Sequence, residues 1–110
     1  MDINKIIVTD LILGGGLFTE DGYDLEESAD NLADLKGRII MGYMEEHYPT
    51  IEVYADIAIE KNARGTRPLE VLAYNKGGEI IPAASEEIQR QLSRVIADGI
   101  ADGAWAVKDR

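Results

Sequence analysis

The stretch IEVYADIAIE, residues 51–60, decides how this chain is read. Ile51, Val53, Ala55, Ile57 and Ile59 alternate with Glu52, Tyr54, Asp56, Ala58 and Glu60. Successive side chains of a strand point to opposite faces, so this alternation predicts a β-strand with one face in the core and the other at least partly wet. LEVLAY, residues 69–74, predicts a second strand, and the Gly- and Pro-containing connection from Asn62 to Pro68 predicts that the two form an antiparallel hairpin. Asn75-Lys76-Gly77-Gly78 is a tight turn, after which Glu79-Ile80-Ile81 is a candidate short third strand before Pro82.

Upstream of the hairpin lies a long helix, expected at about 25–47. Asp24 can accept a hydrogen bond from a first-turn amide, and Glu27 stands three residues later in capping-box position. Leu25, Ala29, Leu32, Leu35, Ile39 and Tyr43 recur every three or four residues, Ile40 and Met44 widen the stripe, and Pro49 prevents continuation. Gly37 and Gly42 weaken the helix, which suggests that something packs closely there. The first segment carries two patterns. Ile6, Ile7, Val8, Thr9 and Ile12 are β-branched, yet Ile3, Ile6, Ile7 and Leu11 fall at helical spacing. We read it as a helix, with a strand as the alternative, ended either way by Gly14-Gly15-Gly16. A final helix is expected with Ser85 as its cap and Ile88, Leu92, Val95 and Ile96 as its buried stripe. Trp105 and Val107 are expected to fold back onto the core.

Together these elements predict one α+β domain over residues 1–110. A small antiparallel sheet of two or three strands, built on the 51–60/69–74 hairpin, would carry two or three helices on one face in a two-layer arrangement.

The chain is acidic and lopsided. Its formal net charge is −10. Residues 1–60 hold 14 acids against 3 bases, whereas residues 61–110 hold 7 acids against 8 bases. Glu20, Asp21, Asp24, Glu26, Glu27, Asp30 and Asp34 follow one another with no Lys or Arg between them. Such charge argues against direct nucleic-acid binding, where phosphate contacts need cations, and against anionic membrane surfaces. The absence of cysteine excludes disulfides, thiolate metal sites and a cysteine nucleophile, and fits a reducing cytoplasm. No secretory signal is visible, and the apolar run Ile6–Leu13 is too short to span a bilayer. The expected place is therefore the cytoplasm. Short acidic chains of this kind are common in bacterial and phage genomes.

The search for chemistry turns up little. The acids around Asp21, Asp24 and Glu26 miss the offsets of a calcium-binding loop, and Gly22 comes too early in it. No metal site is expected. His47, the single histidine, follows Glu45 and Glu46 where a helix should end, a position that suits its charged form. The glycine triplet lacks the Lys and Ser/Thr of a phosphate loop. Arg64 and Arg67, beside Gly65 and Thr66, are a candidate anion-binding pair. No catalytic triad or cofactor fingerprint appears, so neither catalysis nor a cofactor is expected.

The remaining signal is on the outer face of the sheet. Tyr54, Ala58, Leu72 and Tyr74 should share one side, with Glu52, Asp56, Glu60 and Glu70 around them, and tyrosines rimmed by charge suit an interface. The expected function is a small interaction module that self-associates as a homodimer through this face. One alternative is a decoy that presents Glu20 to Asp34 to a basic nucleic-acid-binding protein in place of phosphates. A second is a small anion binder or enzyme using the 64–67 loop.

Overall fold

Asp24 starts the longest element of the molecule. Its backbone is extended, and its carboxylate accepts the Glu27 amide at 3.0 Å. Glu26 and Glu27 occupy the first turn, where the helix dipole favours negative charge. The helix, α1, runs Leu25–His47 and buries Ser28, Ala29, Leu32, Ile40 and Met44. The Tyr48 amide closes its end on the Met44 carbonyl at 2.7 Å. The computed structural model describes residues 2–17, 22–60 and 69–108.

Lys5–Leu13 is a strand, β1, and not the helix read from the helical spacing of its isoleucines. Alternation decides the matter. Ile6, Val8, Asp10 and Ile12 are buried while the residues between them are not. Gly14–Gly16 form a single 3-10 turn after it. The other strands are β2, Glu52–Glu60, and β3, Glu70–Tyr74.

The sheet order is β2-β1-β3, so the expected hairpin does not form. β1 lies between its two strands. It pairs parallel with β2 from Lys5↔Glu52 to Leu13↔Glu60 and antiparallel with β3 from Lys5↔Tyr74 to Thr9↔Glu70. The sheet is mixed, not antiparallel. With β1 a strand, β1-α1-β2 becomes a parallel unit whose crossover is the long helix, the connection that parallel neighbours require. Glu79–Ile81 contributes only an isolated bridge, Tyr74↔Ile80, in place of a third hairpin strand.

The second helix, α2, spans Pro82–Ile100 with Pro82 in its first turn and Ile81 as N-cap. Proline suits that position because its missing N–H has no intrahelical partner to lose. Ser85 is therefore inside the helix and does not cap it; it is buried, as are Ala84, Ile88, Leu92 and Ile96. α1 packs on β2, α2 on β3, and the helices on each other. They meet tightly at Gly99, where a Cβ would stand 2.6 Å from Ile39 Cδ1. At Gly42 nothing lies within 4 Å of that position, and at Gly37 the nearest atom is an ordinary 3.6 Å away.

One layer of helix on one layer of sheet gives a slab of 52 × 25 × 17 Å. Its main core joins Ile6, Val8, Val71 and Ala73 of the sheet to Ile40, Met44, Ile88 and Leu92 of the helices. A smaller cluster of Ile12, Ala29 and Leu32 is capped by Trp105. The returning C-terminal segment is stitched to the start of α1: the Val107 amide donates to Ser28 Oγ at 2.8 Å, and the Asp24 amide to the Val107 carbonyl at 2.8 Å.

Candidate functional site

The pairing registers lay out the face of the sheet away from the helices row by row. Tyr54, Ile7 and Leu72 form one row across β2, β1 and β3. Glu52, Lys5 and Tyr74 form the row on one side of it, and Asp56, Thr9 and Glu70 the row on the other. Ala58 beside Leu11 and Glu60 beside Leu13 continue the face past the end of β3. No described element packs over these side chains. Tyr54 is 52 % exposed, Ala58 is exposed, and Ile7, Leu11, Leu72 and Tyr74 are half-buried.

All four residues expected at an interface thus share one face, although the strand pairing differs. Ile7, Leu11 and Leu13, which fill its centre, were missed because β1 was read as a helix. The Tyr54 hydroxyl donates to Glu52, and this bond, with the Glu52 charge, raises the Tyr54 pKa. Lys5 lies over the Tyr74 ring at 5.2 Å and is the sole cation of the face among the described residues.

The two edges of the sheet are unlike. Along β3 the Val71 amide donates to Gln89 Oε1 at 3.0 Å, and the Ala73 amide to Ser85 Oγ at 2.8 Å. The Ile81 amide donates to the Ala73 carbonyl at 2.8 Å. Helix α2 therefore satisfies that edge. Along β2 no described element pairs with the outer edge. Ala55 sits beside buried Val8 on the helix side of the sheet and yet is exposed. A groove of about 600 Å³ opens there, between Ala33, Gly37 and Met41 of α1 and Val53, Ala55 and Ile57 of β2.

The acidic run is distributed along α1 and its cap. Asp24 caps, Glu26 and Glu27 lie in the first turn, Asp30 is exposed, and Asp34 pairs with Arg38 at 3.0 Å. Glu20, Asp21, Arg64 and Arg67 lie outside the described residues. Among the described residues no three His, Asp or Glu side chains gather to hold a metal ion, and no helix is long and apolar enough to cross a membrane. His47 is exposed at the end of α1, its ring 4.2 Å from that of Tyr43.

One charged pair escaped the sequence reading. Asp10, in the buried row of β1, meets Lys36 of α1 at 2.8 Å, and their side chains are only 3 % and 17 % exposed. Asp10 also accepts the Leu11 amide at 3.0 Å. The pair reads as a tie between helix and sheet. No family model matches this chain, and neither a curated protein nor a solved structure does.

Proposed function

We propose that the protein is a non-catalytic interaction module that self-associates through the bare face of its sheet. The supporting observation is the apolar row Tyr54–Ile7–Leu72, which no described element covers. An antiparallel or mixed sheet ordinarily leaves a polar face to water, and apolar surface at its centre with charge at its margins suits a protein partner.

The apolar row of the face can meet itself in a second copy. A two-fold axis along the Tyr54–Ile7–Leu72 row turns the Lys5 row of one copy onto the Asp56–Thr9–Glu70 row of the other. The apolar rows then meet each other, Lys5 lies over Thr9 between Asp56 and Glu70, and Glu52 lies over Asp56, so apolar contact carries the pairing against that like-charge pair. Two-fold dimers are the commonest oligomers and use one patch twice in this way. Sedimentation of the wild type should show a dimer, and Tyr54→Lys or Leu72→Glu should each return it to monomer. A dimer that survives both substitutions places the contact elsewhere, and a monomer at every concentration removes self-association altogether.

A further inference from the structure

The outer edge of β2 makes a separate demand on a partner. An unpaired edge presents alternate N–H and C=O groups, and what satisfies a row of them is another extended backbone. β2 offers nine residues of such edge among the described residues. A strand laid beside it would send alternate side chains to opposite faces. One set enters the groove under α1, lined by Ala33, Gly37, Met41, Val53, Ala55 and Ile57, with Asp34 and Arg38 beside them and paired to each other at 3.0 Å. That set should be mainly apolar. The other set falls beside Glu52, Asp56 and Glu60, none of which makes an ion pair among the described residues. That set should be cationic.

We infer that the β2 edge takes an extended segment of another protein in which apolar residues alternate with Lys or Arg. A second copy of β2 fits worse. Antiparallel self-pairing centred on Asp56 opposes Asp56 to Asp56 and Glu52 to Glu60, and like charges directly opposite are destabilising. Pairing through the bare face leaves the backbone edge of β2 open but shares Glu52 and Asp56 with the dimer, so the peptide is read on a monomeric variant as well as on the wild type.

The test titrates a nine-residue peptide of alternating valine and lysine into the protein, followed by amide NMR and hydrogen exchange. The titration is repeated on Leu72→Glu, a site across the sheet from β2, so that loss of the dimer and loss of the peptide are read separately. Alternate β2 amides should gain protection while Val71 and Ala73 do not change. Two peptides, each N-methylated at alternate residues along one edge, are compared, and one of them should bind at least tenfold more weakly. A valine–glutamate peptide should bind at least tenfold more weakly, and Asp56→Lys should cost the lysine peptide a similar factor. No binding at millimolar peptide overturns the inference. So does equal binding of both N-methylated peptides, equal binding of the glutamate peptide, or β2 protection that rises with protein concentration alone.

Discussion

β3 and β2 bound the same sheet and are finished in opposite ways. β3 is short, and side chains of α2 reach down to its free amides: Ser85 to Ala73 and Gln89 to Val71. Its inward residues Val71 and Ala73 are buried. β2 is nearly twice as long, has no such attendants among the described residues, and leaves Val53, Ile57 and Ile59 only half-buried and Ala55 exposed. Native proteins blunt or cover strand edges because a bare one recruits other chains. An edge capped by a neighbouring helix within the same chain and an edge left open are therefore different statements about partners.

The largest test of that contrast strikes β1, from which both edges hang. Lys36→Met leaves the Asp10 carboxylate buried and unpaired, a change that costs about 3–5 kcal/mol in comparable buried pairs. Chemical denaturation should show that loss, and Asp10→Leu added to Lys36→Met should recover most of it. If the single variant is as stable as the wild type, the pair does not tie helix to sheet.

Next comes the seal itself. Ser85 Oγ accepts the Ala73 amide and donates to the Ile81 carbonyl, both at 2.8 Å. Ser85→Ala leaves a buried amide without its partner, which costs about 1–3 kcal/mol. Hydrogen exchange at Ala73 should speed up toward the rate of the outward β2 amides. An unchanged Ala73 means that the two edges differ for some other reason.

The smallest effect sharpens the comparison by pH. Tyr43 and Tyr48 have raised pKa values, first because partial burial desolvates them and then because neighbours disfavour ionisation, Tyr48, Glu87 and Glu46 for Tyr43 and Glu87 for Tyr48. Tyr54, on the open side, is raised first by its hydrogen bond to Glu52. A raised folded-state pKa means that the folded form holds its proton more tightly. The stability this provides is fully present below the unfolded value of about 10 and is lost as pH climbs through the raised values. In a tyrosine titration followed by NMR, Glu52→Gln should bring Tyr54 back toward the ordinary value and leave Tyr43 and Tyr48 raised. Should all three move together, burial is not what distinguishes the two sides.

Legibility followed the range of the interactions. α1 was readable to the residue because Asp24, Glu27 and the apolar stripe are local signals that agree with one another. β2 was readable from its alternation. β1 was not, because the alternation that marks its buried face is interrupted by Asp10, and the residue that permits a charge there, Lys36, stands 26 positions away. That one misreading produced the other. With β1 taken for a helix, β2 and β3 had only each other to pair with. The face assignment survived the error because parity along each strand fixes which side a residue takes, whatever strand lies beside it. The open edge did not, since which strand borders the solvent depends on the order of the whole sheet.

The place of β1 at the centre has a kinetic side. Lys5 meets Glu52, 47 positions downstream, and Tyr74, later still. The strand that emerges first must wait for both neighbours, and contacts so distant along the chain are slow to close. Until they do, its isoleucines and valine remain available to the wrong company, the kind of exposure that draws half-made chains into aggregates. A growing polypeptide of this design has a reason to meet a chaperone early.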